Sequence, residues 1–265
     1  MKLIRSFGRT LLIFTGLFLL TSFSKPEGPD PDFHLYLLVG QSNMSGRGVL
    51  TDEYRHLSQP NVLMLDKDGN WVEAAHPLHF DKPRIAGVGP GLSFGLEMAN
   101  ADPNVRIGLI PCAVGGTPIE SWEPGAMDRA TKKYPYDDAT KRLKIAMKKG
   151  VIKGIIWLQG EANSKPGRSE GYLEKLEVLI GRFRETAGDK NLPVVAGELG
   201  RYRPAYSLIN EQLAQLPGKV KNTAVASSEG FTHKGDNTHF DAASATGFGK
   251  RFAEKMLSLQ QKKID

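Results

Sequence analysis

The chain contains one cysteine, Cys112, in 265 residues, so no internal disulfide can form and a buried core must hold the fold. Flanked by Ile110, Pro111 and Ala113, Cys112 reads as a buried residue at a strand end and not as a nucleophile. There is no phosphate loop with its lysine and hydroxyl. Gly87, Gly89 and Gly91 echo a dinucleotide loop only superficially, because no strand precedes them and Pro90 interrupts the run. His76, His79 and Asp81 lack zinc spacing, so that stretch is expected to wall an acyl or sugar pocket, and no metal is expected. Internal repeats and low-complexity segments are missing as well. The formal net charge is +6, and +3 once the three cations Lys2, Arg5 and Arg9 of residues 1–24 are set apart. That balance is not a nucleic-acid signature, and basic stretches such as Lys141 to Lys149 read as solvated helix faces.

Long apolar runs are absent except at the start, where Leu11 to Leu20 follows those three cations and ends in Ser22 and Ser24. Residues 1–24 therefore read as a secretory signal peptide, which predicts a secreted or periplasmic protein with no stable membrane insertion after cleavage. An uncleaved N-terminal anchor is the alternative. Residues 25–32, with three prolines and a glycine, are expected to form a disordered lead-in, and residues 33–265 one domain with a full core.

Short apolar runs at Leu35 to Val39, Val62 to Leu65, Arg106 to Ile110, Ile155 to Leu158, Val194 to Ala196 and Thr223 to Ala226 read as strands. Several are apolar at successive positions, which suits parallel strands covered on both faces. Helical patterns lie between them at Leu92 to Asn100, Tyr136 to Lys149, Tyr172 to Ala187, Leu208 to Leu216 and Ser244 to Leu259. The alternation predicts an α/β sandwich with a mainly parallel sheet, and the irregular stretch from Asp66 to Gly91 a site-forming loop.

The first strand runs into Gly40, Gln41 and Ser42, placing a hydroxyl where ligand sites gather in open α/β sheets. Alone, Ser42 could be a helix cap. Asp236 and His239, three residues apart, could share one short loop in which the carboxylate orients the imidazole, and a serine needs such a base. Gly116, after the Arg106 to Ile110 strand, offers an unobstructed backbone amide, and Gln159 a side-chain donor. Such oxyanion donors contribute about 3 to 4 kcal/mol each. Arg47 reads either as a pocket residue that could meet a carboxylate or a sugar hydroxyl or as a surface arginine in a turn, and Trp122 either as a stacking face for a sugar ring or as a buried packing residue.

The segments GQSNMSGRG (Gly40 to Gly48), VGPGLSFG (Val88 to Gly95), IGLIPCAVGGTPIESW (Ile107 to Trp122), WLQGEAN (Trp157 to Asn163) and DNTHF (Asp236 to Phe240), in this order, resemble the SGNH hydrolase superfamily. More narrowly the chain is similar to the sialate O-acetylesterase-like domain that includes carbohydrate esterase family 6. The resemblance implies a three-layer α/β/α sandwich and a serine esterase releasing O-acetyl groups from oligo- or polysaccharide, without metal or organic cofactor. It implies Ser42 as nucleophile, Asp236 and His239 as partners, and an oxyanion hole from Ser42, Gly116 or its neighbour Gly115, and Gln159. Glu161, in the same motif, is a candidate substrate-binding residue; relatives that read GESD have an acid where this chain has Asn163, a swap that leaves the core mechanism intact and removes any role of that acidic position. A lipid esterase or thioesterase, or an inactive carbohydrate-binding relative, are the competing functions.

Overall fold

The computed structural model describes residues 28–261; the signal peptide expected over residues 1–24 lies outside the described residues. Seven strands form one sheet: β1 (Asp30–Gly40), β2 (Val62–Leu65), β3 (Trp71–Glu73), β4 (Arg106–Pro111), β5 (Gly150–Leu158), β6 (Val194–Gly197) and β7 (Thr223–Ala226). Their order across the sheet is β3-β2-β4-β1-β5-β6-β7. Every pairing is parallel except that of β2 with β3. The helices are α1 (Ser42–Ser45), α2 (Asp52–Arg55), α3 (Pro90–Ala101), α4 (Pro135–Ala146), α5 (Tyr172–Ala187), α6 (Ser207–Leu213), α7 (Leu216–Lys219) and α8 (Ala242–Gln261).

Two separate cores show why the central strand is apolar at successive positions. Phe33, Leu35, Leu37 and Val39 of β1 face a layer that includes Leu143 of α4 and Leu176 and Phe183 of α5. The intervening Tyr36 and Leu38 face Phe94 of α3 and Phe248, Phe252 and Met256 of α8. Side chains alternate across a strand, so a strand sandwiched between two helix layers must be apolar on both faces.

Strand β1 starts at Asp30, inside the stretch expected to be disordered. Its carboxylate pairs with Arg106 of the neighbouring strand at 2.8 Å, and its amide donates to Lys149 O at 3.0 Å. These polar ties anchor a proline-rich segment that has little apolar pattern of its own. The Asp66 to Gly91 stretch likewise contains an element that its pattern hid. A turn closed by Asp66 and Asn70 returns the chain as β3, a three-residue antiparallel edge strand, before the irregular part begins.

The chain moves from β1 to one side of the sheet through β2, β3 and β4, then crosses to the other side with β5. The carboxyl ends of β1, β4 and β5 therefore meet at a switch point, where open sheets of this kind leave a crevice. Gly40 ends β1 at φ +136°, and a side chain there would sit 2.1 Å from Leu158 O of β5. Only glycine lets the two backbones approach and the chain turn into Ser42.

Helices α3 and α8 cross closely at Gly249, where an added Cβ would meet Ser93 Oγ at 2.0 Å and Pro90 O at 2.2 Å. Gly249→Ala is expected to lower unfolding free energy by about 1–3 kcal/mol through overpacking. Gly181→Ala on the open face of α5, with nothing within 4 Å, should be neutral or stabilising by up to about 1 kcal/mol. Urea titration of both variants checks this, and equal stabilities would contradict the close crossing.

Candidate active site

Ser42 opens α1 immediately beyond the end of β1 and is 7% exposed. His239 Nε2 lies 3.1 Å from Ser42 Oγ, and His239 Nδ1 lies 2.7 Å from Asp236 Oδ2. The structure thus brings together the three side chains singled out from the sequence. Asp236 Oδ1 also accepts from the backbone amides of His239 at 2.8 Å and Thr238 at 3.0 Å. The loop braces itself further: His233 Nδ1 accepts from Gly235 N and Asn237 N, and Lys234 N donates to His239 O.

Burial works to raise the Asp236 pKa, but the hydrogen bonds from His239 and Thr238 override it and hold the carboxyl at about 2. Desolvation lowers the His239 pKa below its ordinary 6.5, against the opposing pull of Asp236. Near neutral pH the imidazole is therefore uncharged beside an ionised carboxylate. Such an arrangement can accept a hydroxyl proton and stabilise the imidazolium that results.

Two buried connections fix this geometry, and sequence reasoning missed both. Asn43 Nδ2 donates to Glu161 Oε1 at 2.5 Å and to Thr238 O at 3.0 Å, while its Oδ1 accepts from Phe240 N at 3.0 Å. One amide thereby fastens the Ser42 turn to the loop after β5 and to the loop carrying His239. The second connection is the ion pair of Arg47 with Asp81 at 2.9 Å, with both side chains at most 3% exposed. Asp81 also accepts from Ser45 Oγ and from Gly115 N, the latter at 2.7 Å. The pair couples the nucleophile turn to the 113–116 loop.

This pairing bears on the choice between two adjacent glycines. The Gly115 amide is committed to Asp81, whereas Gly116, at φ +89°, donates to no protein acceptor among the described residues. Both glycines line the pocket over Ser42, a recess of about 360 Å³ that is also bounded by Gln41, Lys82, Arg203 and Tyr206.

Gln159 departs from expectation. It is fully buried, and its Nε2 donates to Asn163 Oδ1 at 2.8 Å, Thr117 O at 3.1 Å and Gln41 Oε1 at 3.2 Å. With both N–H groups committed inside the protein it has no donor for an oxyanion; it locks the loops after β1, β4 and β5 together. Of the two readings of Trp122, stacking on a sugar or packing in the core, the structure shows the second: it is 1% exposed, edge-on to Trp157 and bonded through Nε1 to Thr117 Oγ1. It is a core residue and offers no face to a sugar. Arg47 lines the pocket, but its guanidinium is held by Asp81, Ser45 and the Gly46 carbonyl.

Glu161 also lines the pocket, and burial pushes its carboxyl up to about 6 against the Asn43 hydrogen bond. Its Oε2 is shielded and has no hydrogen-bond partner. Asn163 accepts from Ile119 N and Gln159 Nε2 through Oδ1 and donates to Glu120 Oε2 through Nδ2. An ionised aspartate cannot make the last bond, so the asparagine suits its surroundings. His76 and His79 are buried neutral imidazoles, pushed down to about 4 and about 3 chiefly by desolvation. Cys112 is 9% exposed, with its thiol pushed up to about 11 by burial, as a strand-end residue should be. The described residues contain no group of three or more side chains suited to hold a metal ion.

Residues 32–258 match the family described as carbohydrate esterase, sialic acid-specific acetylesterase. A probable carbohydrate esterase of Arabidopsis thaliana is 32% identical over 255 residues, covering 88% of this chain and 95% of that protein. An X-ray structure of an Arabidopsis thaliana protein superposes with a TM-score of 0.77 at 29% identity, covering 86% of this chain and 99% of that one. A carbohydrate acetylesterase from Xanthomonas citri gives a TM-score of 0.67 at 20% identity, covering 86% of this chain and 57% of that one, a likeness of fold.

Removing the Asp81 carboxylate would leave a buried guanidinium unpaired and the Gly115 amide without its acceptor. Asp81→Ala is expected to destabilise the protein by about 3–5 kcal/mol in denaturant titration. A loss below about 1 kcal/mol would mean that the pair behaves like an exposed one.

Proposed function

Because the chain belongs to the carbohydrate esterase family of sialic acid-specific acetylesterases, and is thereby a carboxylic ester hydrolase, we propose that it removes O-acetyl groups from carbohydrate through an acetyl-enzyme on Ser42. The observation that carries this reading is the continuous hydrogen-bond path from Ser42 Oγ through His239 to Asp236 at the floor of an open pocket.

In the first half-reaction, His239 Nε2 takes the Ser42 proton as Oγ attacks the acetyl carbonyl carbon. The carbonyl electron pair moves onto oxygen, and the backbone amides of Ser42 and Gly116 receive the charge. Collapse of this intermediate breaks the bond to the sugar oxygen, which leaves with the proton from His239. In the second half-reaction the same imidazole deprotonates water, which releases acetate and restores the serine hydroxyl. Asp236 keeps the imidazole in register and stabilises its cationic form throughout.

A pocket of about 360 Å³ bounded by Lys82, Arg203, Tyr206, Thr238 and Glu161 suits a short acyl group on a hydroxyl-rich alcohol better than a long acyl chain. Acetylated xylan, another acetylated glycan and acetylated sialic acid all satisfy that description. The signal read over residues 1–24 supports a substrate met outside the cytoplasm.

Ser42→Ala should reduce hydrolysis of 4-nitrophenyl acetate by at least about 10³-fold while the protein stays folded. Because neutral His239 is the working form and its pKa is lowered, kcat/KM of the parent should fall on acidification with a midpoint below the ordinary histidine value of 6.5. Undiminished turnover by the alanine variant, or a rate that rises on acidification, would reject the assignment.

A further inference from the structure

A second cavity, of about 430 Å³, adjoins the Ser42 pocket. It is bounded by the turn at 67–69, the segment 79–81, the chain leaving β4 at 111–114 and one face of α4. Asp81 and Val114 line it, whereas the next residues in sequence, Lys82 and Gly115, line the Ser42 side. The same two segments thus border both recesses, and each recess has the size of a small-molecule site.

Its lining combines apolar and cationic side chains. Phe80, Pro111, Val114 and the 37% exposed Ile145 supply apolar surface. Lys133 and Lys141 are exposed there with no ion-pair partner among the described residues. Arg142 has no carboxylate partner among the described residues: its guanidinium is held by the carbonyls of Leu65 and Asp66 at 2.6 and 2.9 Å and lies 4.8 Å from the centre of the Phe80 ring. Against these cations stands Asp138, because Asp68 is paired with Lys67 at 2.8 Å and Asp81 with Arg47 at 2.9 Å. Apolar surface beside a cation excess fits a ring that has a C–H face and an anionic edge.

We propose that this cavity is a second glycan subsite, which binds a carboxylate-bearing sugar unit in the same chain as the acetylated unit over Ser42. The inference rests on the carbohydrate esterase reading for the occupant of the first pocket. It makes the preferred substrate an acetylated acidic oligosaccharide or polysaccharide. The subsite stands apart from the reacting atoms, so its contribution falls on binding and not on the chemical step.

Calorimetric titration of Ser42→Ala protein with trigalacturonate and with neutral xylotriose tests the subsite without turnover. Trigalacturonate should bind at least about tenfold more tightly, with an affinity that falls as salt rises, since the cations are exposed. Adding Lys133→Glu and Lys141→Glu, both at surface positions that leave the core intact, should remove that advantage and leave xylotriose binding as it was. Equal binding of the two sugars, or an advantage that survives both charge reversals, would overturn the proposal. Failure of the esterase reading has a different signature: the parent enzyme would release no acetate from any acetylated sugar, whatever the calorimetry gives.

Discussion

The hydrogen bond between Ser42 and His239 joins residues 197 apart in sequence, and the Asn43 side chain makes it possible. Asn43 directly follows the nucleophile, and it holds Thr238 and Phe240, the residues on either side of His239. The distance between hydroxyl and imidazole is thus set by a rigid buried amide and not by the flexibility of a surface loop. The short glycine-dependent turn from β1 fixes one end of this link, and the internally bonded 233–239 loop fixes the other. Preorganisation of this kind removes reorganisation from the reaction itself.

A second layer of buried polar bonds supports the first. Gln41 Oε1 accepts from Gln159 Nε2, Gly160 N and Ala162 N, and Gln159 reaches on to Thr117 and Asn163. Loops from three strand ends are knit together beneath the pocket. Arg47 and Asp81 do the same on the opposite side, where they orient the 113–116 loop and take the Gly115 amide. An unpaired member of either network would be costly in a buried setting, so these residues constrain one another.

Much of this was legible in the sequence, because its strongest signals are local. Apolar runs placed β2 and β7 at their observed bounds, and the Tyr172–Ala187 helix at both ends. The same pattern missed β3, whose three residues include an exposed Glu73 and draw their order from pairing with β2. It missed the start of β1, which is anchored by Arg106 from another strand. Ser42, Asp236 and His239 stood out because their residue types have a chemical meaning together. Gln159 was misplaced, and Trp122 left between two roles, for the converse reason: a donor or an indole invites a ligand role, while burial and prior hydrogen bonds are properties of the fold. Asn43 carried no such flag, since its partners lie far away in the chain, and Asp81 stood out only as part of an expected pocket wall, because its pairing with Arg47 and Gly115 is a property of the fold.

The central claim is that Ser42 becomes acetylated during turnover by the imidazole path described above. Rapid acid quenching of the enzyme reacting with 4-nitrophenyl acetate, followed by mass spectrometry of its peptides, tests this directly. The account predicts one added acetyl group on the peptide bearing Ser42, absent when His239 is replaced by alanine. Steady turnover with that peptide unmodified, and acetyl found on another side chain, would contradict it.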